Sequence, residues 1–158
     1  MKPMALIGKK NPLLYEVALP VSPEEDMERL SALANRMLAT CRVKGGIAIA
    51  APQVGVLKRL VVTYEGSVWV NPVLELDEDE VATEAEGCLS LPGRVYAVER
   101  PLRCSLTAMS LYGWEEQTVD LENLEARVAM HEVDHLDGVL ISARGKETPN
   151  VGPSAMKF

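Results

Sequence analysis

The sequence predicts an α+β fold: antiparallel sheets packed around a central helix, with a further helix near the N-terminus. Two observations point to it. The middle of the chain holds short runs rich in β-branched and aromatic residues, separated by close turns. On either side lie segments whose apolar residues recur at helical spacing. At 158 residues, with 47% apolar and 25% charged, the chain fits one soluble domain with one core. No repeat, low-complexity block or linker divides it.

The first twenty residues are irregular. Ser22-Pro23-Glu24-Glu25 then reads as a helix start: Ser22 caps, Pro23 suits the first turn, and Glu25 completes a capping box. Met27, Leu30, Leu33, Ala34, Met37 and Leu38 form one apolar stripe, and Gly45-Gly46 ends the helix or its following loop. Strands are expected at 60–64 and 68–70, the second closed by Asn71-Pro72, and at 95–98, 104–108 and 117–119, with Tyr112-Gly113 as a hairpin turn. The central helix is expected from Asp120 or Asn123 to about Leu136, closed by Asp137-Gly138. Leu121, Leu124, Val128, His131 and His135 share one of its faces. From Gly145 the last fourteen residues, with two prolines and two glycines, read as a loose tail. The expected division is a domain over 1–144 and a tail over 145–158.

A net charge of −7 argues against a surface that tracks phosphates, so no direct nucleic-acid binding is expected. The start of the chain does not lead into a signal-type apolar run, and nothing approaches a membrane span. The protein is expected to remain in the cytoplasm, without membrane contact, as a monomer. Three cysteines, Cys41, Cys88 and Cys104, do not suggest a disulfide framework.

The most informative segment is His131-Glu132-Val133-Asp134-His135. Residues four apart on a helix project from one face, so both imidazoles can reach one ion. Glu132 is turned by about 100° from His131. Its carboxylate lies beside the ion and can hold a water there as general base. A solvated helix carrying the motif by chance is the plain alternative. These are the only two histidines in the chain, and they continue an apolar stripe, where an unpartnered imidazole would be costly. A catalytic ion needs a third protein ligand and an open position. Downstream, Ile141 stands where one protease family has histidine, and Glu147 is the sole acidic candidate. The third ligand is therefore expected upstream, and Cys88, in Glu86-Gly87-Cys88-Leu89-Ser90, is the best candidate. A lone cysteine is more often a small buried hydrophobe, a reading that fits Cys41 and Cys104. Asp134 can orient a histidine, pair with an arginine such as Arg100, or simply face water.

Three segments together resemble the peptide deformylase family: Gly46-Ile47-Ala48-Ile49-Ala50-Ala51-Pro52-Gln53, Glu86-Gly87-Cys88-Leu89-Ser90 and His131-Glu132-Val133-Asp134-His135. Order and spacing match over roughly residues 10 to 142. The resemblance implies a hydrolase that removes the N-formyl group from formylmethionine at the start of nascent polypeptides. Cys88, His131 and His135 would hold one divalent ion, usually ferrous iron in the family, with zinc, nickel or cobalt able to replace it. Glu132 would move the proton, and the Gln53 side-chain amide and the Leu89 backbone N–H would stabilise the oxyanion. The substrate would be an N-formylmethionyl peptide, lying near Gly46 and with its side chain among Ile47, Leu124 and Val128. Plain core packing is the equal alternative for those three.

Two departures stand out. Ala48 replaces a usual second glycine, which would strain the chain if that position needs positive φ and be tolerated if it needs only a small residue. The long C-terminal helix of many bacterial members is not evident, so the resemblance is to short forms, some encoded by bacterial viruses, and ribosome docking through such a helix is not expected. Two other readings compete: an H-E-x-x-H peptidase, disfavoured by the missing downstream ligand, and a catalytically silent metal-binding domain, disfavoured because Glu132 and Gln53 are kept although neither is a ligand. Hydrolysis of some other formyl amide is a third.

Overall fold

The computed structural model describes residues 1–149 and 157–158. Six antiparallel strands and two α-helices make up the described fold. The strands are β1 (Ala48–Ala50), β2 (Leu60–Thr63), β3 (Val68–Cys88), β4 (Leu91–Met109), β5 (Glu116–Glu122) and β6 (Gly145–Thr148). The helices are α1 (Met27–Lys44) and α2 (Asn123–Leu136). The sheet order is β1-β2-β3-β4-β5, and β6 adds to β4. This is the α+β architecture expected, with α2 at its centre.

Helix α1 starts later than the sequence suggests. Asp26, not Ser22, is the N-cap, and its carboxylate accepts from the Glu28 and Arg29 N–H groups. Ser22 is consumed by a turn of its own, with its hydroxyl bonded to Glu24 and its N–H donating to Glu25. Glu25 in turn is salt-bridged to Lys58. Leu30, Ala34, Met37 and Cys41 then bury one face against Ile49, Leu60, Val62 and Val70. Each such large apolar side chain contributes about 1.5–3 kcal/mol by leaving water. Gly45, at φ 68°, ends the helix in the left-handed conformation.

The strands are longer than expected. Asn71-Pro72 does not close one: β3 runs through it with a register shift between Val70 and Val73, and Asn71 takes φ 50° there. The separate candidates 95–98 and 104–108 are one strand, β4, which passes through Pro101. Pro101 lacks an N–H but falls where the outer edge needs none. β6 pairs with Val95–Val98 and β5 with Arg103–Met109, leaving the proline between them. The expected tail is also partly ordered: Gly145–Thr148 pairs with β4, Lys157 bridges Gly87, and Phe158 is buried. The rest of that expectation, 150–156, lies outside the described residues.

Helix α2 follows β5 directly, with Asn123 at φ 54° making the corner. Leu121 therefore belongs to the strand and not to the helix stripe. From Ala126 to Glu132 every residue of α2 is buried. Ala126 and Ala129 let it lie close to Cys104 and Trp69 of the sheet. Cys41 and Cys104 are buried and free, as small core residues. Among the described residues no helix is long and apolar enough to cross a membrane.

Candidate metal centre and active site

Strand β3 and helix α2 build the site between them. Cys88 ends β3 just before a tight turn, Leu89-Ser90, that returns into β4. His131 and His135 lie on the buried face of α2. The three ligand atoms fall within 4.8 Å of one another. Cys88 Sγ is 3.3 Å from His135 Nε2, and the two imidazoles meet edge to face with centroids 5.0 Å apart. His131 Nε2, His135 Nδ1 and both carboxylate oxygens of Glu132 are buried with no hydrogen-bond partner. Orphaned polar groups of this kind cost about 1–3 kcal/mol each. For His131 Nε2 and the Glu132 carboxylate, a divalent ion with its water is a partner of the right chemistry. The residues present thus fit a small N/S-ligated ion of the tetrahedral type.

Burial sets the protonation of these side chains in the absence of an ion. Burial holds both imidazoles neutral by pushing their pKa values down, that of His135 further. His131 Nδ1 bonds Glu86 at 2.8 Å, which fixes the tautomer and leaves the Nε2 lone pair for an ion. Burial pushes the Cys88 thiol up to about 12. Glu132 is raised to about 8, first by burial and then by the charge of Glu86.

Gln53 sits in a short 3-10 turn, Ala51–Val54, immediately after β1. Its side chain is fully buried and doubly fixed. The carbonyl accepts from the Ala50 N–H at 2.9 Å, and the amide N–H points at Cys88 Sγ (3.8 Å) and Ser90 Oγ (3.4 Å). A donor is thus aimed into the site beside the ligands. Ala48 lies in a strand and is not among the positive-φ residues, so this position needs only a small side chain. Gly46 has a different reason to be small: a Cβ there would stand 2.7 Å from Leu89 Cδ1.

The expected substrate residues separate. Val128 is buried and packs with Ala48 and Phe158, with Ile47 alongside. Leu124 is 38% exposed and joins none of the buried clusters. A cleft of about 710 Å³ opens beside Cys88 and Leu89 and runs along Gly8, Pro92, Arg94 and Lys157.

Two residues were missed in the sequence. Glu86 is fully buried and receives Arg100 through Nε (2.7 Å), Arg127 through an Nη (2.7 Å) and the His131 ring. Burial alone would raise its pKa, but His131 and Arg100 hold it at about 2. The signal was present: Glu86 is two residues from Cys88 on a strand and so shares its face. Arg127 is four residues before His131 on the helix and shares its face too. Asp134 pairs with Arg100 at 2.9 Å, as foreseen, and also receives Arg144 at 2.7 Å. Replacing Asp134 with alanine frees Arg100 to swing from Glu86. Metal affinity is expected to fall about 10-fold, measured by chelator competition, as for other groups behind a ligand. Unchanged metal content and activity would remove Asp134 from that role.

Comparisons with known proteins place the whole chain among relatives. Residues 2–150 match the family model described as "Polypeptide deformylase". The peptide deformylase of Clostridium botulinum is 43% identical over 120 residues, covering 74% of this chain and 80% of that protein. The actinonin-bound class I type b peptide deformylase of Acinetobacter baumannii superposes with a TM-score of 0.87 at 33% identity, over 92% of this chain and all of that one. The same enzyme bound to Met-Ala-Ser gives 0.84 at 31% identity, over 90% and 98%.

Proposed function

The chain belongs to the polypeptide deformylase family, and on that basis we propose that Cys88, His131 and His135 hold the ion, that Glu132 carries the proton, and that Gln53 and Leu89 receive the oxyanion. The enzyme removes the N-formyl group from the methionine of nascent polypeptides and releases formate. The single observation that carries the assignment of roles is the buried, unpartnered Glu132 carboxylate beside a cysteine and two histidines whose ligand atoms converge.

The bound divalent ion supplies Lewis-acid activation of water and of the formyl carbonyl. Glu132 accepts a proton from the attacking water and later gives it to the amine that leaves. Burial makes its carboxylate more basic than an ordinary glutamate, which favours that exchange. The Gln53 amide, already fixed by Ala50, donates to the oxyanion without reorganising. The Leu89 N–H donates from the β3–β4 turn. Glu86 holds the His131 ring in place. The formylmethionine side chain lies against Ile47 and Val128, with Gly46 leaving room beside Leu89. The peptide runs into the cleft along 87–95.

Iron(II) is the resident ion we favour, and a Cys/His set also suits zinc, nickel and cobalt. With nascent chains as substrate, the enzyme works in the cytoplasm. The catalytic unit spans 1–144, joined by β6 from the segment beyond.

The Cys88 thiol tests this set. Because it is protonated at neutral pH in the empty site, ion binding should release about one proton per ion from Cys88, beside any that Glu132 gives up. The thiol makes apparent affinity rise about tenfold per pH unit on its acid side. Titrating zinc into weakly buffered apoprotein measures both, and Cys88→Ala should lower the release by about one proton per ion. An undiminished release in Cys88→Ala would remove Cys88 from the ligand set.

A further inference from the structure

The chain's own segment Lys157–Phe158 lies in the groove between Ile47 and the end of β3. The Ile47 N–H donates to the Lys157 carbonyl, the Phe158 N–H to the Gly87 carbonyl and the Leu89 N–H to the Phe158 carbonyl, each at 3.1 Å. Lys157 forms a parallel bridge with Gly87. The segment is thus an added strand, bonded to both walls, in the manner of a peptide augmenting a sheet edge. Its side chain completes the match: Phe158 is 1% exposed, packs on Ala48 and Val128 with Ile47 beside it, and its ring centroid is 5.1 Å from that of His131.

We propose that Lys157–Phe158 is an intramolecular competitor for the formylmethionine pocket, with Phe158 filling that apolar pocket beside the open cleft and its carbonyl taking the Leu89 N–H. This rests on the placement of substrate given above. Two features make the occupation exclusive. Phenylalanine and methionine are both large apolar side chains, and only one can lie on Val128 and Ala48. A backbone N–H gives one strong hydrogen bond, so Leu89 cannot serve Phe158 and a developing oxyanion together. Three backbone bonds and one buried ring hold the segment, which is a small enough set to release. The pocket is therefore filled until a formylated peptide displaces the segment.

Phe158→Ala and Phe158→Asp test this in the full chain. In both, KM for a formyl-Met peptide should fall about tenfold with kcat unchanged, the change expected if nine sites in ten are self-occupied. Hydrogen exchange of the Ile47 and Leu89 amides, measured without substrate, should accelerate in both variants. A raised KM, with those amides exchanging as in the parent, would make Phe158 a wall of the pocket and overturn the proposal. Accelerated exchange in variants of a protein that releases no formate would instead keep the self-docking and remove the deformylase placement on which its competition rests.

Discussion

Glu132→Ala is expected to lower kcat for formate release by about 10²–10⁴-fold while the protein keeps its ion. The carboxylate makes no hydrogen bond to a ligand side chain, so its removal leaves Cys88, His131 and His135 in place. The loss falls on proton transfer, because no other buried carboxylate is free for it. Glu86 is consumed by two arginines and His131, and Asp134 by Arg100 and Arg144. The substitution also takes a buried group without hydrogen-bond partners out of the core, so thermal stability should hold or rise. Metal analysis, Tm and steady-state kinetics on one preparation check all three. A variant that loses its ion would place Glu132 among the ligands instead.

Glu86→Ala should produce the largest loss of stability. It leaves Arg100 and Arg127 buried without their shared anion, a class of change that costs about 3–5 kcal/mol. At this chain length that is a fall in Tm of about 10 °C. Glu86→Gln keeps the shape and weakens the grip on His131, and metal affinity should drop about 10–100-fold. The pH dependence follows from the same group. Its pKa in the folded state is about 2 against an ordinary 4.5, so the folded state resists protonation. Its contribution is complete above about pH 4.5 and is lost as pH falls toward 2. The acid limb of unfolding should therefore lose steepness in Glu86→Gln. An unchanged limb would mean that Glu86 is not the group that the arginines stabilise.

Much of this site was legible as spacing. A histidine pair four apart on a helix and one cysteine in a short motif suffice to pick out three residues whose donor atoms converge. The place of the Glu132 carboxylate beside them followed from its angular offset on the same helix. What stayed hidden depended on long-range pairing. Glu86 and Arg127 are ordinary charged residues in the sequence, and only the register of β3 against α2 turns them into one buried cluster. Leu124 lies two turns before His131, but in the first turn of α2, where it stays 38% exposed while Val128 is buried. Helical spacing alone also overstated how much of α2 is one-sided, since the helix is buried around most of its circumference. The long strands were read as fragments because Asn71-Pro72 and Pro101 normally stop a strand. Here a register shift and a gap between edge partners accommodate them. The ordered Lys157–Phe158 segment carries no local signal at all, because the groove that receives it exists only in the folded chain.

The most direct test of the central claim is formate release from a formyl-Met peptide by anaerobically purified protein of known metal content. Rapid, metal-dependent release that chelation abolishes and added divalent ion restores is the predicted result. Full metal loading at Cys88, His131 and His135 with no formate released, by the parent or by Phe158→Ala, would contradict it.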